Sequence, residues 1–174
     1  IQAEISRLPE YRVEFASEDI SVSGSFTDLE QLRDCHNPYD FFALHKAALI
    51  ACGVIPLEDS PNSEDSLEAI LKRLGGGIRL STRVMGIPKG SGLGTSSILS
   101  GACVRAVHEF LGLQLKDSAL YDIVLCMEQI MSTGGGWQDQ VGGLTPGIKY
   151  ITTRPGMDQH IHVEQIEIPE AERE

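Results

Sequence analysis

Pro88-Lys89-Gly90-Ser91-Gly92-Leu93-Gly94-Thr95-Ser96-Ser97 lies between a strand-like and a helix-like pattern. Upstream, Ile78, Leu80, Thr82 and Val84 alternate with Arg79, Ser81 and Arg83, so one side of a strand is apolar and the other wet, and Pro88 stops it. Downstream, Ile98, Leu99, Ala102, Cys103, Ala106, Val107 and Phe110 form the stripe of a helix that starts at about Thr95. Glycines alternate through the connection, and without side chains they let backbone N–H groups approach an anion closely. The helix start adds unpaired N–H groups and a positive dipole end. This is a cradle for phosphate. Thr95, Ser96 and Ser97 place hydroxyls in the first turn, where one can cap the helix and another can ligate the Mg²⁺ of a nucleotide.

Known cradles differ in checkable residues. A Walker loop needs Lys and then Ser or Thr after its last glycine, but Thr95 follows Gly94 directly. A dinucleotide-binding turn needs G-x-G-x-x-G/A, and Gly90-Ser91-Gly92-Leu93-Gly94-Thr95 misses the third small residue by one position. The acid that should end a second strand has only Glu109 to fill it, within the helical pattern. A capped glycine turn with no ligand needs neither three alternating glycines nor three successive hydroxyls.

The length of the chain suggests one domain. It has 174 residues with 14 basic and 25 acidic side chains, a formal charge of 14 − 25 = −11. A chain of this size buries roughly 70 % of its unfolded surface, and a hydrophobic fraction of 41 % suffices for one core. The acidic excess argues against nucleic acid and anionic membranes as partners. No apolar run reaches the ~18 residues of a spanning helix, so a soluble, cytoplasmic protein is expected. Cys35, Cys52, Cys103 and Cys126 form no C-x-x-C pair and read as reduced, structural residues. The chain opens on Ile1 and closes on a charged run, as expected of a piece of a longer protein.

Tyr11 to Gly24 predicts a hairpin, with Val13 and Phe15, then Ile20 and Val22, around Ala16-Ser17-Glu18-Asp19. Helices are predicted from Tyr39 to Cys52, from Asn62 to Leu74 with Gly75-Gly76-Gly77 as the stop, and along Leu120, Ile123, Val124, Met127, Ile130 and Met131. Gly147 to Thr152 and His160 to Ile168 predict strands, the second without a decided face.

A second glycine tract, Gly134-Gly135-Gly136-Trp137-Gln138-Asp139-Gln140, reads as a loop after a helix, costly unless it shapes a site. Taken alone, Asp139 reads as a surface turn residue, because Asp is common in glycine loops. Trp137 can stack on the apolar face of a sugar or plug the loop from below. Lys89 reads as solvated. His160 and His162 share a strand face at i, i+2, but no third metal ligand accompanies them.

Pro88-x-x-x-Gly92-Leu93-Gly94-Thr95-Ser96-Ser97 resembles the P-x-x-x-G-L-[GS]-[ST]-S-A phosphate loop of the GHMP kinases. Leu74-Gly75-Gly76-Gly77, the extended Gly92 to Leu99 and Thr133 to Gly143 are similar to the L-fucokinase branch, which often occurs fused to a GDP-fucose pyrophosphorylase domain. The likeness runs from about Asn37 to Lys149 and is weakest over the first 35 residues. It implies an α+β fold, a mixed twisted sheet with helices on one side and a left-handed βαβ unit. It also implies ATP and Mg²⁺ as cofactors, and transfer of phosphate to the anomeric hydroxyl of L-fucose. A heptose-phosphate or galactose kinase, or a catalytically silent nucleotide- or sugar-binding fragment, remains an alternative.

By the same resemblance, Pro88, Gly90, Ser91, Gly92, Leu93, Gly94, Thr95, Ser96 and Ser97 hold the ATP phosphates. Glu128, eleven residues before Asp139, binds the metal with Ser96, and Thr95 is the less favoured second ligand. Asp139 is the catalytic base, or acts by electrostatic positioning alone, and Gly136, Trp137 and Gln138 face the sugar. The family's N-terminal G-R-[VIL]-[DN]-x-x-G-G segment and its C-terminal glycine-rich segment are absent from these 174 residues. Residues 1–174 are therefore expected to be a single partial N-terminal domain.

Overall fold

A computed structural model describes residues 1–37, 39–58, 66–88, 92–133, 136–156 and 160–167. The chain divides into two compact units, Ile1–Leu144 and Thr145–Glu174.

The larger unit is an α+β structure. Strands β1 (Gln2–Leu8), β2 (Val13–Ser17), β3 (Val22–Phe26) and β4 (Gly77–Arg83) form a sheet in the order β1-β4-β2-β3. The expected hairpin is present: β2 pairs antiparallel with β3, from Val13↔Phe26 to Ser17↔Val22, and a 3-10 turn at Glu18–Ile20 joins them. β4 lies parallel to β2 and antiparallel to β1, which makes the sheet mixed. Its alternation is as predicted, with Ile78, Leu80 and Thr82 buried and Arg79 and Arg83 exposed. Arg79 reaches Glu14 of β2 at 3.5 Å on the wet face.

Helices cover the other face. α1 (Leu29–Arg33), α2 (Ala43–Ala51) and α3 (Leu67–Leu74) lie between β3 and β4 in sequence, followed by α4 (Thr95–Phe110), α5 (Asp117–Ile130) and α6 (Trp137–Leu144). Ser66 caps α3 by accepting from the Ala69 N–H at 3.2 Å, and Gly75 ends it in the left-handed conformation. The expected start of that helix at Asn62 lies outside the described residues. Val13, Phe15, Leu49, Leu71, Ile78, Leu80, Val104, Val107, Leu120, Val124 and Met127 make one core between sheet and helices.

Three expectations are corrected. Residues 137–140 are not loop but the start of α6, because Gly143 seats closely on Ile98 of α4: a Cβ there would come within 2.8 Å of the Ile98 side chain. The inward face of α4 is rotated from the predicted stripe. Ser97, Ser100, Gly101 and Val104 are buried while Ile98 and Leu99 are half-buried, since small residues admit the neighbouring helices. Cys35 and Cys103 are buried free thiols, but Cys126 is exposed and not part of the core.

α2 carries a buried pair that the apolar periodicity does not announce. Lys46 is buried and meets Asp40 at 2.6 Å, and His45 is 2 % exposed between the rings of Phe15 and Phe42. His45 Nε2 shares a 3.0 Å hydrogen bond with Thr82 Oγ1. Burial pushes the imidazole pKa down from 6.5 to about 4. Native His45 is therefore neutral where the unfolded chain already binds a proton. Its contribution is intact above pH 6.5 and declines as pH falls toward 4, by about 3 kcal/mol in all. Urea midpoints of the wild type and His45→Gln should converge as pH falls through this window, and parallel pH profiles would refute the assignment.

In the smaller unit, β5 (Lys149–Thr153) and β6 (Ile161–Gln165) form an antiparallel hairpin with Ile151 opposite Val163. Ile161 and Val163 are half-buried and His162 and Glu164 exposed, which decides the open question of its faces. Ile168 lies outside the described residues.

Candidate active site

Residues 84–94 carry the chain from β4 to α4. Of the phosphate-loop candidates, Gly90 and Ser91 lie outside the described residues, as does Lys89. Gly92 and Gly94 adopt the left-handed backbone, with φ of +70° and +63°, where a side chain would be strained. Gly94 is also the N-cap of α4 and offers no side chain to the first turn, so the leading N–H groups of a 16-residue helix have no side-chain cap among the described residues. Leu93 is exposed, as is Ser96.

A cleft of about 450 Å³ opens beside this turn. Ser17, Asp19 and Ile20 line it from the β2–β3 bend, Val84, Ile87 and Pro88 from the linker, and Thr95 and Leu99 from α4. Its walls are largely aliphatic. The Thr95 hydroxyl, buried and without a hydrogen-bond partner among the described residues, lies at the helix end of the cleft.

Glu128 sits in the last turn of α5 and continues the buried line of Leu120 and Val124, one residue in four. That phase explains its burial: the residue is 8 % exposed. Its carboxylate accepts a 2.9 Å hydrogen bond from the Ser97 hydroxyl. Among the described residues no basic side chain pairs with it. The sequence groups Ser97 with the phosphate-facing hydroxyls, yet it is 1 % exposed and its proton goes to Glu128. Ser96, the expected metal partner of Glu128, is the outward neighbour.

Beyond α5 the chain is pinned before it reaches α6. The Thr133 N–H and hydroxyl both donate to the Glu128 carbonyl at 3.0 Å, and His36 Nδ1 shares a 3.2 Å bond with the Ser132 hydroxyl. Gly134 and Gly135 lie outside the described residues. Asp139 falls in the first turn of α6 and is exposed, with Trp137 half-buried and Gln138 exposed beside it.

Close approaches fix how α6 lies on α4. A Cβ on Gly94 would stand 4.0 Å from the Asp139 carbonyl, one on Gly143 2.8 Å from Ile98, and one on Gly101 2.2 Å from Leu144. The paired numbers rise together, so the two helices run parallel and their N-termini share one end. Asp139, the glycine turn and the uncapped start of α4 are thereby neighbours. Gln140 is fully buried, with neither amide atom partnered among the described residues. Sequence periodicity alone carries no signal for it.

The donor set bears on a divalent ion. Among the described residues no three His, Cys, Asp or Glu side chains gather as a metal cage. One buried carboxylate without a cationic partner among the described residues suits Mg²⁺, which takes one or two protein oxygens and completes its shell with phosphate and water. No helix among the described residues is long and apolar enough to cross a membrane.

Comparison with known proteins agrees with this architecture. Residues 64–146 match the GHMP kinases N terminal domain. The chain is 36 % identical over 159 residues to the L-fucokinase/L-fucose-1-P guanylyltransferase of Bacteroides fragilis, spanning 91 % of this chain and 16 % of that protein. It is 38 % identical over 124 residues to the bifunctional fucokinase/GDP-fucose pyrophosphorylase of Arabidopsis thaliana, spanning 71 % of this chain and 10 % of that protein. The fold is shared with a crystal structure of mevalonate kinase, at a TM-score of 0.68 and 18 % identity over 95 % of this chain and 46 % of that one. The chain belongs to the GHMP kinase family and is homologous to these fucokinase-containing proteins over most of its length.

Proposed function

We propose that the full-length protein is an ATP-dependent sugar kinase that converts L-fucose and ATP to L-fucose 1-phosphate and ADP. Residues 1–174 would contribute the phosphate-binding part of its N-terminal domain. The observation that carries this is the convergence of three features: the uncapped N-terminus of α4, the buried Glu128 carboxylate and the Asp139 turn of α6. The names borne by the two homologous proteins supply the choice of sugar. They also motivate a second, nucleotide-transferring domain elsewhere in the full-length protein.

In this assignment Pro88, Gly90, Ser91, Gly92, Leu93, Gly94, Thr95 and Ser96 surround the phosphates, and backbone N–H groups carry most of the contact. The aliphatic cleft above Thr95 takes the nucleoside. Glu128 and Ser96 would hold Mg²⁺, which when bound would neutralise charge on the transferring phosphoryl group. Asp139 accepts the proton of the anomeric hydroxyl as that oxygen bonds to the γ-phosphorus and ADP departs. Gly136, Trp137 and Gln138 line the sugar side. Supply of ATP places the reaction in the cytoplasm.

ADP release from Mg-ATP by the full-length protein, across L-fucose, D-arabinose, D-galactose and heptose 7-phosphate, tests the assignment. L-Fucose should be the strongest substrate. A stronger response to another sugar would reassign the acceptor, and no response to any sugar would remove the kinase function.

A further inference from the structure

A buried hydroxyl spent on a buried carboxylate needs a reason, because Ser97 follows two residues whose side chains are placed to meet a ligand. We infer that Ser97 is a positioning residue for the metal-binding carboxylate: its hydrogen bond to Glu128 fixes which oxygen of that side chain is left for Mg²⁺. This rests on the kinase function proposed above and adds a residue with a separate role to it.

The geometry separates Ser97 from its neighbours. Thr95 lines the cleft, Ser96 faces outward, and Ser97 turns onto the core side of α4 with Ser100, Gly101 and Val104. Its hydroxyl donates to Oε1 of Glu128 at 2.9 Å, with both residues buried. The single donor restrains the carboxylate's rotation, and with Oε1 engaged the second oxygen is the one available to a cation. Alanine at position 97 would keep the helix and lose the hydroxyl that meets Glu128. Groups that hydrogen-bond ligating carboxylates typically govern roughly 10- to 100-fold of metal affinity.

A purely structural staple between α4 and α5 makes a different prediction. It would affect nucleotide binding equally with and without metal. The test is calorimetric binding of a non-hydrolysable ATP analogue to the full-length protein, in Mg²⁺ and in EDTA, for the wild type, Ser97→Ala, Ser97→Cys, Ser97→Thr and Glu128→Gln. The quantity read is the gain in affinity that Mg²⁺ confers. Ser97→Ala and Ser97→Cys, which remove the strong donor, should lower that gain roughly 10- to 100-fold with EDTA affinity unchanged. Ser97→Thr, which keeps the hydroxyl, should retain it. Equal losses in Mg²⁺ and EDTA, or a full Mg²⁺ gain in Ser97→Ala, would overturn the inference while leaving the kinase function standing. A full gain in Glu128→Gln would remove Glu128 from the metal site and the role of Ser97 with it.

Discussion

Asp139→Asn should lower turnover with Mg-ATP and sugar by roughly 10²- to 10⁴-fold, the loss expected when a positioned base is removed. The substitution keeps side-chain size and one oxygen, so the change lies in proton affinity and charge. Asp139 is exposed and lies outside the core, which predicts an unchanged thermal midpoint. ATP affinity should also stay near the wild-type value, because the phosphates are assigned to the α4 turn rather than to α6. Steady-state kinetics beside thermal denaturation separates these outcomes. Full activity in Asp139→Asn would mean that Asp139 is not the base, and that the packing of α6 on α4 near Gly94 serves some other purpose.

Gly77→Ala should destabilise the protein by roughly 3 kcal/mol or more, among the larger single-substitution costs. Gly77 opens β4 opposite Leu8 of β1, and a Cβ there would stand 2.2 Å from the Glu10 carbonyl oxygen and 2.4 Å from that of Arg12. Both obstacles are backbone, so no rotamer change relieves them. The chain between β1 and β2 would have to move, and the register of β4 against both strands would move with it. Denaturant midpoints of wild type and variant measure this directly. A near-neutral Gly77→Ala would mean that the Glu10–Arg12 turn yields easily and is not what sets the β4 register.

Local features of this fold are legible in the amino-acid sequence, and features set by distant packing are not. The β2–β3 hairpin, the wet and dry faces of β4 and the start of α4 at Thr95 follow from alternation and glycine punctuation within a few residues. The strand order β1-β4-β2-β3 does not, since β2 and β4 are far apart in the chain and only packing decides which strands meet. α6 is hidden because Gly142 and Gly143 are poor helix formers, and its stability comes from the fit of Gly143 on Ile98 and of Leu144 on Gly101.

At the candidate site, the glycine turn and Asp139 stand out as residue types in an unusual setting. Glu128 is legible only in phase: it follows Leu120 and Val124 at the helical repeat, a cue in the sequence itself that the side chain faces inward. Ser97 cannot be told from Ser96 by type or by neighbourhood. One helical step of about 100° separates a hydroxyl that meets solvent from one that meets Glu128. The buried His45 and Lys46 escape periodicity for the opposite reason, since their partners Thr82 and Asp40 lie on a distant strand and in the preceding loop.

The most direct test of the central claim is the identity of the phosphorylated product. The full-length protein incubated with Mg-ATP and L-fucose should yield, by ³¹P and ¹³C NMR, a phosphate ester on the anomeric carbon in step with ADP formation. Phosphate found on another carbon of the sugar, or ADP formed with free phosphate and no ester, would contradict it.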